Sequence, residues 1–302
     1  MQQRPRLRLR KLAAHIAATD GDDNELPPRD PRFTSSGGLP MQHFPQIVAL
    51  ATSDKPQISK MVGNESERLS QTWLEDLATS DVAGKEMTSG LFRMNKGNPL
   101  QYTYTYEEIK YIVDGVFHLT DGTGQTVVAQ AGDLMYFPAG SRITFDTPST
   151  ALGCFCGQRR FGEEETNPAE AATLGAINPP MVHYPGAASL QMPIMCADQS
   201  QQDSKTWFGD VALSEVPGKE LAAGFFHMKN GKALDYYYDY EEMKFIVSGV
   251  FHLTDGTGQQ VVAQAGDLMY FPKGSSIRFD TPSEALGCFC GQRLVEELVT
   301  HL

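Results

Sequence analysis

The chain has 302 residues, of which 41% are apolar and 21% charged, and its formal net charge is −12. That acidity argues against nucleic acid and anionic membranes as partners, because both are bound through basic patches. No apolar run approaches the roughly 20 residues of a membrane helix, and the N-terminus lacks the apolar core of a secretory signal. A cytoplasmic protein is therefore expected, and the odd count of five cysteines suits reduced thiols.

In chain order, residues 1–40 open with a basic run from Arg4 to Lys11 and continue through a stretch rich in Gly, Pro, Ser and Asp. They read as an extended or disordered tail; a mitochondrial presequence is the alternative. Glu67–Leu77 carries the best helical periodicity. From Tyr102 the period is two: Tyr102-Thr-Tyr104-Thr-Tyr106 alternates large and small side chains, as on a strand packed on one face. Further strands are expected at Ile109–Val113, Val116–Thr120, Thr126–Ala129, Leu134–Phe137, Ile143–Phe145 and Ala151–Cys156, separated by turn signals such as Asp114-Gly115. Short strands punctuated every 8–12 residues or so imply an all-β sandwich or barrel, and closing it into a jelly roll removes exposed strand edges.

The chain repeats itself. Residues 106–159 align without gaps to 240–293 at an offset of 134, with 46 identities in 54 positions. At the same offset Trp73 pairs with Trp207 and Gly84-Lys85-Glu86 with Gly218-Lys219-Glu220. Beyond an indel, Met41-x-His43-x-Pro45 matches Met181-x-His183-x-Pro185. A period this long is a domain duplication. It gives one repeat at 41–160, a linker at 161–180 with a short helix expected across 168–174, and a second repeat at 181–302.

Glu108 followed by Gly115, then Gly132-x5-Pro138-x-Gly140, resemble the two sequence motifs of the cupin family; Glu242, Gly249 and Gly266-x5-Pro272-x-Gly274 repeat them. In finer detail each repeat resembles the cupin domain of the ethanolamine-utilisation protein Q family over about 55 residues. The resemblance implies two tandem double-stranded β-helix barrels with few helices. It also implies where a cupin metal would be held: Tyr102, Tyr104, Glu108 and Ile143 in one repeat, Tyr236, Tyr238, Glu242 and Ile277 in the other. Metal-binding cupins carry histidine at three of those four positions. A carboxylate with two phenols is a poor site for metals that favour imidazole, and phenols are protonated at neutral pH. No resident cofactor is expected, although weak metal binding stays open.

What remains is one strand face. Tyr102, Tyr104, Tyr106, Glu108 and Lys110 fall at even spacing, as do Tyr236, Tyr238, Tyr240, Glu242 and Lys244. If the family position of Glu108 carries over, that face lines the barrel. Glu108, Lys110 and Tyr104, with Glu242, Lys244 and Tyr238, are then the candidate catalytic groups. Tyr102, Tyr106, Tyr136, Tyr236, Tyr240 and Tyr270 are the candidate substrate-binding groups. Burial and a neighbouring ammonium push a carboxylate's proton affinity in opposite directions, which suits a general base. The alternative is an ion pair at an exposed rim beside tyrosines that merely pack. His118 and His252 fall on the outer face by parity. His43 and His183 either close the lumen or pack. Cys154, Cys156, Cys288 and Cys290 read as buried structural thiols. The Gly-x-Gly segments at 122–124 and 256–258 are hairpin turns, since no helix follows them.

The functional expectation is acid–base chemistry without metal on a small organic metabolite, of isomerase, epimerase, dehydratase or cyclase type. A non-catalytic small-molecule binding protein and an atypical metal-dependent dioxygenase are the alternatives. The family resemblance adds acetate-kinase activity, for which no phosphate-binding loop is visible. A small-molecule ligand is the expected partner, and a homodimer stays open.

Overall fold

The computed structural model describes residues 38–52, 56–80, 82–162, 173, 176–196, 199–214 and 216–294. Residues 1–37 of the tail lie outside them, as does the helix expected across 168–174 apart from Thr173. The first repeat supplies β1 (Gln42–Phe44), β2 (Ser59–Lys60), β3 (Thr72–Ser80), β4 (Met87–Asn95), β5 (Leu100–Thr103), β6 (Glu108–Asp114), β7 (Val116–Asp121), β8 (Thr126–Gln130), β9 (Leu134–Phe137), β10 (Arg142–Asp146) and β11 (Thr150–Gly157). The second supplies β12 (Val182–Tyr184), β13 (Thr206–Ser214), β14 (Leu221–Lys229), β15 (Leu234–Tyr237), β16 (Glu242–Ser248), β17 (Val250–Asp255), β18 (Gln260–Gln264), β19 (Leu268–Phe271), β20 (Ser276–Asp280) and β21 (Glu284–Gly291). Helices are short: α1 (Ile47–Thr52), α2 (Glu65–Leu69) and α3 (Gln199–Ser204). The all-β expectation holds, with two sheets per repeat enclosing a lumen lined largely by aromatic and aliphatic side chains.

The helix expected over Glu67–Leu77 is mostly strand. Only Glu65–Leu69 is helical, capped by the Asn64 side chain, which accepts from the Glu67 amide. From Thr72 the chain pairs with β4; Thr72, Leu74 and Asp76 face inward by strand parity, and a bulge between Asp76 and Ala78 puts both Leu77 and Ala78 on the opposite face. Burial of Thr72, Asp76 and Ser80 on a sheet outweighs the local helical pattern.

One sheet of the first half runs β12-β9-β6-β11-β4-β3-β2, and its counterpart in the second runs β1-β19-β16-β21-β14-β13. Each sheet thus ends on a strand from the other repeat. The repeats at 41–160 and 181–302 are units of sequence, and the two sheets trade one strand each. Aspartates secure the exchange. Asp133 accepts from His183 Nε2 at 2.8 Å and the Gly186 amide at 2.7 Å; Asp267 does the same for His43 at 2.8 Å and Gln46 at 2.6 Å. Asp121 accepts from the Met181 amide, and Asp255 from that of Met41. His43 and His183 are therefore strand-exchange residues and do not close the lumen.

Between the halves, Tyr111 packs 6.0 Å from Phe225 and 5.8 Å from Phe245, centroid to centroid. Cys154, Cys156, Cys288 and Cys290 are buried in the same cluster, as free thiols. Gln158 Nε2 donates to the Lys219 carbonyl, and Gln292 Nε2 donates to that of Lys85.

Candidate functional site

Tyr102 to Lys110 do not form one unbroken strand. β5 ends at Thr103 and β6 begins at Glu108, because the chain crosses here from the four-stranded sheet to the larger one. The corner is fixed by backbone bonds from Tyr104 N to Ser141 O and from Gly140 N to Tyr104 O. Across it the even-numbered side chains still turn into the barrel, so Tyr102, Tyr104, Tyr106, Glu108 and Lys110 are all buried. Their counterparts Tyr238, Tyr240, Glu242 and Lys244 are buried too, with Tyr236 half-buried.

In each barrel these groups form one connected set. Lys110 Nζ lies 2.8 Å from Glu108 Oε1, and Lys244 Nζ lies 2.8 Å from Glu242 Oε1. Tyr104 donates to Glu108 Oε1 at 3.0 Å, as Tyr238 does to Glu242. Tyr106 and Tyr240 reach the other carboxylate oxygen at 3.5 and 3.3 Å. The phenols of Tyr102 and Tyr106 meet at 2.9 Å, and those of Tyr236 and Tyr240 at 3.2 Å. Burial pushes the phenols of Tyr104, Tyr106, Tyr238 and Tyr240 far above their ordinary range, and the neighbouring carboxylates add to this. They are donors at any physiological pH. The rim reading fails, since Glu108 and Lys110 are each 2% exposed.

The ammonium sits in an aromatic cage. Lys110 Nζ is 4.4 Å from the centroid of Phe92 and 5.2 Å from that of Phe145; Lys244 Nζ is 4.5 Å from Phe226 and 5.2 Å from Phe279. Glycine makes room for the lysine stem. A Cβ at Gly153 would stand 2.9 Å from Lys110 Cγ and Cδ, and one at Gly287 would stand 3.0 Å from those of Lys244.

Sequence reasoning missed a second buried ion pair. Arg159 grips Asp76 through both terminal nitrogens, at 2.7 and 2.5 Å, and its guanidinium lies over Tyr106. Arg293 and Asp210 repeat this at 2.9 and 2.5 Å over Tyr240. The signal was present, since all four residues recur at the repeat offset, but Asp and Arg stand 83 residues apart. Also missed was Glu107, which accepts from Tyr136 Oη and the Ala139 amide. Tyr136 and Tyr270 are not in the lumen. Met135 and Met269 take the inward positions of those strands, and the two tyrosines turn to the opposite face, where Tyr270 donates to Glu241 at 2.6 Å. His118 and His252 are on the outer face, as parity implied.

The positions implied for a cupin metal do not fit one. Ile143 is in register with Tyr102 and offers no donor atom; Tyr102 and Tyr104 are protonated phenols. The one carboxylate, Glu108, is already paired to an ammonium. Among the described residues no three His, Cys, Asp or Glu side chains converge as a metal site.

The second barrel encloses a cavity of about 180 Å³ whose lining includes Tyr236, Tyr238, Tyr240, Glu242 and Lys244. No helix among the described residues is long and apolar enough to cross a membrane.

The model of the family described as "Ethanolamine utilisation protein EutQ" matches residues 46–156 and 198–290. A curated relative named acetate kinase EutQ, from Salmonella typhimurium, is 37% identical over 71 residues, which is 24% of this chain. The chain spans 30% of that relative's length. Among solved structures, a cupin 2 conserved barrel domain protein from Leptotrichia buccalis superposes with a TM-score of 0.55 at 8% identity, over 86% of this chain and 100% of that one. Oxalate decarboxylase from Bacillus subtilis does so with a TM-score of 0.55 at 15% identity, over 91% and 85%. At such identities the structural likeness shows the fold, that of two cupin barrels in one chain. The family match covers both repeats, and the chain belongs to the EutQ family.

Proposed function

We propose that the lumen is an acid–base site that works without metal on a small organic carbonyl or hydroxyl compound, as an isomerase or lyase does. The supporting observation is the chain of groups Tyr236, Tyr240, Glu242 and Lys244, bonded in sequence and bordering one cavity. The carboxylate of Glu242 takes a proton from carbon next to a carbonyl. The phenols, kept protonated by burial, hydrogen-bond to the enolate oxygen that develops. Lys244 supplies the positive charge that a metal gives in other barrels of this fold. Glu242 then hands the proton to the neighbouring carbon of the enediol, which isomerises the compound, or to a departing β-hydroxyl, which leaves as water and completes an elimination. Unpaired thiols at Cys154, Cys156, Cys288 and Cys290 accord with a reducing, cytoplasmic setting.

The test is proton exchange in deuterated water across a panel of small ketones, aldehydes and hydroxy acids, followed by NMR. The reading expects catalysed exchange for some member, with a loss of about 10²–10⁴ in Glu242→Gln. Full turnover in the double variant Glu108→Gln/Glu242→Gln would show that the carboxylates are not the base.

A further inference from the structure

We infer that the two barrels have divided their roles: ligand enters only the second, and it is an uncharged molecule about the size of one ring. This rests on the lumen being the functional site.

The two halves keep the same inner set but differ at the mouth. In the first barrel Met61 and Tyr102 are buried, at 6% and 8% exposure, and Glu67 of α2 closes the opening at 6%. The Glu67 carboxylate is tied down, accepting from the Gly63 amide at 2.7 Å and from Asn64 Nδ2 at 2.8 Å. The equivalent residues of the second barrel, Met195, Gln201 and Tyr236, are all half-buried and all line the 180 Å³ cavity. Gln201 stands where Glu67 does and lacks the carboxylate that, in the first barrel, closes the opening turn of α2 on Gly63 and Asn64.

Size and charge then set the ligand class. An apolar cavity of about 150 Å³ accepts a benzene ring, so this one suits a single ring or an open chain of similar bulk. The lumen's charges cancel internally: Glu242 with Lys244, Asp210 with Arg293. A charged ligand would bring an unmatched charge into a desolvated site, which is costly. The phenols of Tyr236 and Tyr240, both lining the cavity, offer hydrogen bonds to an acceptor oxygen. The fitting class is a small neutral carbonyl or hydroxyl compound without phosphate.

Met61 and Met195 report on the two mouths. The full chain is labelled with ¹³C at its methionine methyls, and Met61→Leu and Met195→Leu assign the two signals. Cyclohexanone and phenol serve as neutral probes; benzoate and acetyl phosphate serve as anions. The expected result is a saturable shift at Met195 alone, with the neutral probes binding at least about tenfold tighter than benzoate, and loss of that shift in Gln201→Trp. Equal shifts at Met61, or a shift there alone, would overturn the division of roles. Tighter binding of benzoate or acetyl phosphate would overturn the ligand class. If no probe moved either methyl at saturating concentration, the lumen reading itself would fall.

Discussion

Lys244 Nζ stands 2.8 Å from Glu242 Oε1, with the lysine 2% and the glutamate 1% exposed. A buried pair of this kind adds little net stability, yet breaking it leaves one charge stranded in the lumen. Lys244→Met alone should therefore cost about 3–5 kcal/mol in urea unfolding. Lys244→Met combined with Glu242→Gln should recover most of that loss. Additive losses would show that the two residues act independently.

Gly287 leaves the space that the Lys244 stem fills. Gly287→Ala, like Gly153→Ala, places a methyl about 3.0 Å from two lysine carbons. Crowding of this order destabilises by about 1–3 kcal/mol. It should also lift the ammonium from its carboxylate, so exchange activity should fall further in Gly287→Ala than stability does. An alanine variant with wild-type stability and activity would show that the strand accommodates the methyl.

The interface thiols should be inert. Burial pushes the Cys154 thiol up to about 12 and raises Cys156 and Cys288 as well, while Cys196 is exposed. A thiol-specific disulfide reagent should titrate Cys196 quickly in the native protein and the other four only after denaturation. Rapid reaction of all five would mean that the two barrels separate readily.

The buried phenols predict weakness at high pH. Their folded-state values lie above the unfolded value of about 10. Between those two values the unfolded chain holds fewer protons than the folded one, so stability falls as pH rises. The contribution is intact below about pH 10 and is lost progressively above it. Tyrosinate absorbance from these residues should appear together with loss of the circular dichroism signal. Gradual ionisation in a folded protein would contradict the closed phenol network.

Much of the site was legible in sequence because a strand face has a period of two. That parity placed Tyr104, Tyr106, Glu108 and Lys110 inside and His118 outside, although the strand breaks at the corner. Parity gave no answer at Met135-Tyr136, where two large side chains compete for one inward position and the methionine takes it. The exchange of β1 and β12 was hidden, because a duplicated sequence gives either copy of Met-x-His the same local reasons to pair with either sheet. The grip of Arg159 on Asp76 was hidden by distance along the chain and by the helical pattern over Glu67–Leu77, which masks the strand face that Asp76 occupies.

On the reading proposed above, an ammonium, Lys110 or Lys244, holds the carboxylate in the position where metal-binding barrels of this fold hold their metal. Elemental analysis of the full chain, purified without chelators and then incubated with iron, manganese, nickel and zinc salts, tests it most directly. Bound metal should stay well below stoichiometric amounts, and proton exchange should survive chelator treatment. A full equivalent of any one metal per barrel, lost together with activity in Glu108→Gln and Glu242→Gln, would contradict it.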